Sequence, residues 1–561
     1  MKYKRLGEML VDVKLITEEQ LAEALQLQKG SGKRLGTVLI DNGFITEAQL
    51  IEMLRVQLGI DFIDLTKVTI DPEMVNVLPK NIAQKQGIIP VRMEKDLLYL
   101  AMEDPLNFMA VEAARVATRK KIIPMITTTA GINRAYNILY ENEGAVKAMA
   151  QMRQEGGFVD SGVPKEMETE DRGSAPAVRL VKSIIERAVT ERASDIHIEP
   201  GQEELAVRIR VDGRLMKILT IPKELQQTVV ARIKVMGHMD IAERRIPQDG
   251  RTAMRIKGEE IDLRLSTLPT IFGEKIVIRL LLKNQEMLTR EGIGLTQTKE
   301  NTEKFERLLT NNSGVILIVG PTGSGKSSTM YTMIRELKSE SVNLIMIEDP
   351  VEYQMEGVTQ VQINEKTGMT FANALRAILR QDPDIIGVGE IRDGETAEIA
   401  MRAAMTGHLV ISTIHTEDAI SAIDRLRDMG VEPYLIAGGV RGIISQRLVR
   451  KICGSCRSPQ MVSDQQRDLV GLSKNDTRIF YKGKGCHMCF DSGYYGRIGV
   501  FEILTLNQRI RDCITEERPK VELRQAIAGS GFIPMMRSGL QLASSGITSI
   551  EELCRTISIV D

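Results

Sequence analysis

The chain has 561 residues, of which 27% are charged, 4% are aromatic and none is tryptophan, and its formal net charge at pH 7 is −1. This length is enough for three or four domains, each with its own core. The near-zero net charge and scarce aromatic rings argue against a surface for a nucleic-acid polymer. Because no secretory segment and no apolar run of about 18 residues occurs, we expect a cytoplasmic protein that is held at the membrane only through partners.

The N-terminus contains an internal repeat. Two 24-residue segments, RLGEMLVDVKLITEEQLAEALQLQ from Arg5 to Gln28 and RLGTVLIDNGFITEAQLIEMLRVQ from Arg34 to Gln57, are separated by KGSGK. Each predicts a short helix, a turn and an amphipathic helix with Thr17 or Thr46 at its N-cap. Residues 1–60 therefore predict either a helical docking domain with a leucine core or a ligand-binding repeat, since arginine can stack on a purine and pair with phosphate.

This repeat resembles the N-terminal cyclic di-GMP-binding module of certain bacterial secretion and pilus ATPases. The second unit fits that pattern throughout, whereas the first has Lys14 where the second has Gly43. The resemblance implies that cyclic di-GMP contacts the following residues: Arg5, Leu6, Gly7, Leu25, Gln28, Arg34, Leu35, Gly36, Leu54 and Gln57.

Three regions follow the repeat. Residues 61–140 mix short strand and helix patterns and predict a small α/β domain without a catalytic signature. Residues 141–173 are rich in glutamate and glycine, which predicts a flexible linker. Residues 174–295 predict an α/β domain, because an amphipathic helix precedes SDIHIEP, an alternating strand and an Asp-Gly turn.

The alternating strand of this domain places Arg208 and Arg210 on one face. Such arginines can supply positive charge to phosphates that a neighbouring subunit binds. A solvated basic sheet face is the commoner arrangement, and the strand pattern by itself favours that interpretation.

The segment GPTGSGKS, from Gly320 to Ser327, fits G-x-x-x-x-G-K-[ST] without a mismatch. GVILIV before it predicts a buried strand and SSTMYTMIRELKS after it predicts a helix, which is the context that this motif requires. There, backbone N–H groups surround phosphate oxygens, Lys326 reaches the β- and γ-phosphates, and the Ser327 hydroxyl ligates Mg²⁺. We expect ATP or GTP to be bound by Gly320, Pro321, Thr322, Gly323, Ser324, Gly325, Lys326, Ser327 and Ser328.

Three further apolar segments follow at helix-length spacing, which predicts a parallel sheet. They end near Glu352 in NLIMIEDPVEY, near Glu390 in ILRQDPDIIGVGEIRD and near His415 in TGHLVISTIHT. A nucleotide hydrolase needs a carboxylate for the attacking water, another for the Mg²⁺ shell and a sensor of the γ-phosphate. Strand ends on one edge of the sheet would supply these three groups.

Four of the six cysteines form two pairs, Cys453-x-x-Cys456 and Cys486-x-x-Cys489. In a cytosolic chain this pattern favours Zn²⁺ bound by four thiolates over disulfides or free thiols. We expect a structural site in an insertion at about residues 450–492, because four thiolates leave no position open for water.

Together these motifs resemble the hexameric ATPases of type II secretion and type IV pilus systems. The matching segments are GPTGSGKS, IEDPVEY, LRQDPDIIGVGEIRD, TGHLVISTIHT, SDIHIEP and RIRVDGR. The resemblance implies a multidomain α/β fold, with a PAS-like domain over residues 174–295 and a RecA-like parallel-sheet ATPase domain over 296–561. It also implies that Glu390 tunes the Mg²⁺ water shell and that Glu352 orients the attacking water. The arginine finger would be Arg210, possible companions being Arg208, Arg255 and Arg279.

The resemblance further predicts a homo-hexamer that acts on an inner-membrane platform protein and cytoplasmic assembly proteins. The four cysteines and the long N-terminal region favour an assembly or export motor over a retraction motor, and the repeat favours pilus assembly over type II secretion. A RecA-type nucleic-acid motor shares the P-loop sheet but is disfavoured by the charge and the aromatic content. A second-messenger receptor with negligible hydrolysis is the third class.

Overall fold

The computed structural model describes residues 6–31, 35–65, 68, 70, 72–128, 131–132, 135–136, 139–140, 143–154, 176–256, 258–281, 288–473 and 476–557. The chain forms two compact units, Met1–Leu281 and Leu282–Asp561. No helix of the described residues is long and apolar enough to cross a membrane.

The first unit contains a helical N-terminal region, a three-stranded sheet and a six-stranded sheet. Its helices with described bounds are Leu6–Asp12, Glu18–Ser31, Leu35–Asp41, Glu47–Leu58, Lys80–Gln86, Phe108–Thr118, Glu143–Gln154, Pro176–Thr190 and Gln226–Met236. Its strands are β1 (Ile88–Glu94), β2 (Leu97–Met102), β3 (Lys121–Ile126), β4 (Asp195–Pro200), β5 (Glu204–Val211), β6 (Arg214–Pro222), β7 (Gln248–Ile256), β8 (Glu259–Thr270) and β9 (Gly273–Leu281).

The two repeat units begin their second helices in the same way. Thr46 Oγ1 accepts a hydrogen bond from Gln49 N at 3.3 Å, and Gln49 Oε1 accepts one from Thr46 N at 2.8 Å. Thr17 and Gln20 form the same pair of bonds at 3.2 and 2.9 Å. Both predicted N-caps are confirmed, and each is a complete capping box.

The glycine of each Arg-Leu-Gly segment brings the two helices of its unit close together. A Cβ atom would lie 2.7 Å from Leu21 Cδ1 if it were added to Gly7, and 2.8 Å from Leu50 Cδ2 if it were added to Gly36. The turn between the helices also repeats, since Lys14 has a φ of 57° and Gly43 a φ of 73°. These glycines therefore serve helix packing, while contact with a ligand stays a prediction.

The linker predicted over residues 141–173 is wrong where it overlaps a helix, Glu143–Gln154. Its buried residues recur at helical spacing and are Ala145, Ala148, Met149 and Met152. This stripe packs against the helix Pro176–Thr190. The glutamate-rich composition concealed it, because small alanines and flexible methionines form the apolar face. The remainder of the predicted linker, from residue 155, lies outside the described residues.

The six-stranded sheet has the order β6-β5-β4-β9-β8-β7, with antiparallel neighbours throughout. In β5, Val207 and Ile209 are buried, while Arg208 and Arg210 occupy the opposite face, as predicted. The predicted Asp-Gly turn then leads into β6, because Asp212 has a φ of 49° and the next glycine a φ of 83°.

The second unit is built on a seven-stranded sheet of order β12-β11-β13-β14-β10-β15-β18. Its strands are β10 (Gly314–Val319), β11 (Leu344–Glu348), β12 (Thr359–Gln362), β13 (Ile385–Val388), β14 (Leu409–Ile414), β15 (Val440–Ile452), β16 (Arg457–Gln460), β17 (Phe480–Gly483) and β18 (Tyr494–Thr505). Its helices with described bounds are Arg290–Ile293, Lys299–Leu309, Lys326–Leu337, Phe371–Ile378, Gly394–Met405, Ala419–Asp428, Pro433–Gly439, Asp464–Leu469, Gln508–Thr515, Lys520–Ala528, Met535–Ser544 and Ile550–Thr556.

The sheet is parallel except for β18, which runs antiparallel to β15. Every residue of β10 is buried, because Val315 and Leu317 enter one core layer and Ile316 and Ile318 enter the other. The predicted parallel sheet and the predicted buried strand before the glycine-rich segment are therefore confirmed.

The domain boundary predicted at residue 295 is placed too late. Leu288, Ile293 and Leu295 are buried in the same core layer as Phe305 and Ile316. These isolated apolar residues carry no periodic pattern, so their membership of the core depends on tertiary packing.

Candidate nucleotide-binding site

The glycine-rich segment forms a tight loop between β10 and the helix Lys326–Leu337. Gly320, Gly323 and Gly325 have φ values of 150°, 80° and 91°, in the region that favours glycine. A Cβ added to Gly320 would lie 2.5 Å from the Gln446 carbonyl oxygen, and one added to Gly325 would lie 2.8 Å from Gln446 Nε2. The loop therefore rests directly on β15.

The amino group of Lys326 lies inside this loop. The residue is 8% exposed, and its Nζ donates to the carbonyl oxygens of Gly320 at 2.9 Å and Pro321 at 3.1 Å. Burial lowers the pKa of Lys326, and the negative charge of nearby Glu390 offsets only part of this lowering. Ser324 is also buried, and its hydroxyl has no hydrogen-bond partner among the described residues. A glycine cradle, a buried cation and an unpaired hydroxyl fit the phosphates of a nucleotide.

Glu390 follows β13 and His415 follows β14, and both lie close to Lys326. His415 Nδ1 lies 3.4 Å from Lys326 Nζ, and His415 Nε2 lies 2.9 Å from Glu390 Oε2. On the other side, Arg392 Nε donates to Glu390 Oε1 at 2.6 Å and its Nη1 lies 3.3 Å from Asp349 Oδ2. The five side chains form one continuous polar network along the edge of the sheet.

Glu352 follows β11, and its backbone is held by the P-loop helix. Its N–H group donates to the Tyr331 hydroxyl at 3.4 Å. Tyr331 and Arg392 were absent from the sequence prediction. Arg392 has a local signal, since it stands two residues after Glu390, whereas Tyr331 lies in an apolar helical pattern with no sign of its polar contacts.

The arginines of the six-stranded sheet have partners within the first unit. Arg210 Nη1 donates to the Gly213 carbonyl at 3.0 Å, and its Nε lies 3.7 Å from Asp195 Oδ2. Arg279 Nε donates to Asp195 Oδ1 at 3.0 Å. Burial alone would raise the pKa of Asp195, but hydrogen bonds from Ser194 and Arg279 outweigh it and lower the pKa.

Arg208 and Arg255 also have partners within the first unit. Arg208 Nε lies 2.6 Å from Glu199 Oε2, and Arg255 Nε donates to the Gly258 carbonyl at 3.4 Å. The two arginines lie on different strands of the sheet, β5 and β7.

Strand register aligns further arginines with Arg279 in one row across the sheet. Successive paired positions in this row are Arg210, Asp195, Arg279, Arg264 and Arg251. A cavity of about 670 Å³ is lined by Arg251, Arg264 and Arg279, and Arg210 does not line it. Arg251 and Arg264 were absent from the sequence prediction because strand pairing is not visible in the sequence.

The four paired cysteines converge. Their sulfur atoms all lie within 4.8 Å of one another, with Cys453–Cys486, Cys456–Cys489 and Cys486–Cys489 separations of 3.7, 3.8 and 3.7 Å. A Zn–S bond of about 2.3 Å in a tetrahedron requires sulfur separations of about 3.8 Å. A disulfide requires about 2.05 Å. The geometry therefore fits Zn²⁺ and does not fit disulfides.

The residues assigned to cyclic di-GMP differ in exposure. Leu25 is 41% exposed, and Gly7 and Gly36 are buried against helices of the repeat. The half-buried members are Leu6, Gln28, Leu35, Leu54 and Gln57. Arg5 and Arg34 lie outside the described residues.

The chain is similar to known proteins over most of its length. The profile of the family Type II/IV secretion system protein matches residues 170–555, and that of the MshEN domain matches residues 58–146. The chain belongs to the Type II/IV secretion system protein family. This confirms the family expected from the motifs, and the MshEN match begins where the repeat units end.

Relatives in this family include pilus and secretion proteins. Type IV pilus assembly ATPase PilB of Thermus thermophilus is 40% identical over 99% of this chain, which spans 66% of the length of that relative. PilB of Myxococcus xanthus is 37% identical over 98% of both chains. Type II secretion system protein E of Dickeya dadantii is 40% identical over 86% of this chain and 97% of its own.

A solved structure shares the fold. The ATPase DotB of Yersinia pseudotuberculosis is 22% identical, covers 70% of this chain and 97% of its own, and gives a TM-score of 0.52. This likeness shows that the chain shares its fold with that protein.

Proposed function

We propose that this chain is a Mg²⁺-dependent ATPase that acts as a cytoplasmic homo-hexamer to drive type IV pilus assembly through an inner-membrane platform protein. The convergence of Lys326, His415 and Glu390 beside the P-loop carries the ATPase assignment. Similarity to PilB of Myxococcus xanthus over 98% of both chains supports the pilus assignment.

Each residue of the site has a defined task in this proposal. Lys326 and the loop N–H groups would hold the phosphates of ATP, and the Ser327 hydroxyl and the Glu390 carboxylate would hold Mg²⁺ and its water shell. Bound Mg²⁺ neutralises charge on the phosphate oxygens. Arg392 and His415 fix the Glu390 carboxylate from two sides, and Glu352 orients the attacking water.

We further propose that a PAS-like domain in the first unit supplies an arginine finger to the nucleotide of a neighbouring subunit. Arg210 was the leading candidate from the sequence, but its side chain is 35% exposed and donates to a carbonyl of its own hairpin. Both arginines lie close to Asp195, but the Arg279 side chain is 61% exposed and lines the arginine-rich cavity, so its guanidinium is more open to a phosphate. We therefore propose Arg279 as the finger.

We also propose that the chain binds cyclic di-GMP as a regulator and Zn²⁺ as a structural metal. The repeated Arg-Leu-Gly segments and the adjacent MshEN match support regulation by cyclic di-GMP, with the ten residues named from the sequence as its contacts. The four converging thiols support one structural Zn²⁺.

Replacing the Glu390 carboxylate tests the ATPase assignment. We expect Glu390→Gln to keep nucleotide affinity and to lower ATP turnover by about 100-fold or more. Glu398→Gln is the matched control, because Glu398 lies on the following helix and pairs at the surface with Arg402. Full turnover in Glu390→Gln would contradict the role assigned to this carboxylate.

Type II secretion is the second candidate, because protein E of Dickeya dadantii is 40% identical to this chain over 97% of its own length. Removal of the gene from the source organism separates the two functions. Loss of surface pili with normal protein secretion supports pilus assembly, and the reverse result supports type II secretion.

Measuring solution mass and turnover with and without cyclic di-GMP tests the remaining parts. A hexamer whose Mg²⁺-dependent turnover changes with the dinucleotide supports a regulated motor. A hexamer whose turnover is the same with and without cyclic di-GMP would indicate that the repeat is a docking domain.

A further inference from the structure

We infer that Tyr331 positions Glu352, by joining the P-loop helix to the loop that carries this carboxylate. Tyr331 stands five residues after Lys326 on the same helix and is fully buried. Its hydroxyl accepts hydrogen bonds from the backbone N–H groups of Glu352 at 3.4 Å and Tyr353 at 3.2 Å. The inference rests on the ATPase activity proposed above and on the role proposed there for Glu352.

A buried carboxylate orients the Tyr331 hydroxyl. The hydroxyl donates to Oε2 of Glu348, the last residue of β11, which is 4% exposed. Its one proton and two lone pairs are thus all used, which fixes the rotation of the hydroxyl group. Burial raises the pKa of Glu348, but its two oxygens both accept hydrogen bonds, as a carboxylate does.

Gln360 fastens the same loop from its other side. Its Nε2 donates to Glu348 Oε1 at 2.9 Å and to the Tyr353 carbonyl at 2.8 Å. Its Oε1 accepts from Met355 N at 2.8 Å. The Tyr331 ring also packs edge-on against the Tyr353 ring, with centroids 5.2 Å apart. The loop is therefore held by the helix on one side and by β12 on the other.

Only the hydroxyl of Tyr331 needs to be removed to test this positioning role. Tyr331→Phe keeps the ring contact and leaves two backbone N–H groups without their acceptor. We expect kcat for ATP to fall by about ten- to a hundredfold, because small displacements of a catalytic group have effects of this size. KM and nucleotide affinity should stay within about twofold, because Lys326 and the loop N–H groups are unchanged.

A double-mutant cycle separates positioning from general loosening of the fold. If Tyr331 acts through Glu352, adding Tyr331→Phe to Glu352→Gln lowers single-turnover hydrolysis no further than Glu352→Gln alone. A full additional loss in the double variant, or unchanged kcat in Tyr331→Phe, overturns the inference. Absence of hydrolysis in the unaltered protein would instead contradict the proposed function.

Two further variants guard against misfolding. Tyr140→Phe is the control, because its buried hydroxyl donates to the Leu78 carbonyl at 2.9 Å in the first unit, and it should leave kcat unchanged. Gln360→Met loosens the loop from its β12 side and should repeat the fall in kcat with a preserved KM. A normal kcat in Gln360→Met would also count against the inference.

Discussion

Lys14 and Gly43 occupy equivalent positions in the two N-terminal units and share a left-handed backbone, with φ values of 57° and 73°. Each lies two residues after the first helix of its unit, and the next amide donates back into that helix, from Leu15 to Leu10 and from Phe44 to Leu39. Glycine adopts this conformation without the steric cost that a side chain adds. The residue that departs from the family pattern therefore keeps the turn but holds it under strain.

Exchange of these two residues should move stability in opposite directions. We expect Lys14→Gly to raise the free energy of unfolding of the repeat region by about 1 kcal/mol, and Gly43→Lys to lower it by about 1 kcal/mol. Urea unfolding of the full chain, followed by hydrogen exchange of helix amides in this region, measures both changes. Equal protection in Lys14→Gly and the unaltered chain would show that the turn carries no strain.

The helix Ile550–Thr556 is fastened to β15 by a buried ion pair. Arg450 Nη2 lies 2.6 Å from Glu552 Oε2, and the Glu552 side chain is 0% exposed. The Arg450 guanidinium also stacks on the Tyr494 ring at 4.0 Å. Burial alone would raise the pKa of Glu552, but hydrogen bonds from Arg555 and Arg450 outweigh it and lower the pKa.

Removal of this charge should release the helix. We expect Glu552→Gln to lower the free energy of unfolding by about 3–5 kcal/mol, because it leaves Arg450 buried without a counter-charge. Glu551→Gln, at the exposed neighbouring position, should change it by no more than about 0.5 kcal/mol. A thermal unfolding scan compares the two, and equal melting temperatures would contradict the expected role of the pair.

The same pair gives a pH dependence with a defined sign. Because the folded pKa of Glu552 is lowered, its stabilising contribution is present above the ordinary glutamate pKa and is lost as the pH falls through the folded value. The difference in unfolding free energy between Glu552→Gln and the unaltered chain should therefore shrink on acidification below about pH 4. A constant difference down to pH 2 would contradict this assignment.

The elements that sequence patterns predicted correctly are those specified by local chemistry. Strand β10, the P-loop and its helix follow from an apolar run, glycines and a lysine that are contiguous in the chain. The helix Glu143–Gln154 was missed because alanine and methionine form its buried stripe. The arginine row and the Tyr331–Glu348 contact depend on pairing between distant segments, which local patterns do not encode.

The cysteine cluster predicts the metal content of the whole protein. We expect about one zinc per chain in protein purified under reducing conditions, because four thiolates complete one tetrahedral site. Elemental analysis measures the ratio, and Cys486→Ser combined with Cys489→Ser should abolish it. Retention of zinc by that double variant would place the metal elsewhere.

Strand β15 links the two chemistries of the second unit. Gln446 supports Gly320 and Gly325 of the P-loop, and Cys453 follows the last residue of the strand directly. Seven extended residues place these points about 23 Å apart along β15, which pairs with β10 as far as Ser445 and with β18 as far as Ile452. We therefore expect the pairing of β15 with β18 to transmit a displacement at the cysteine cluster to Gln446, which supports the nucleotide loop. We therefore expect removal of the metal by a chelator to change the rate at which nucleotide dissociates from the P-loop, before the second unit unfolds.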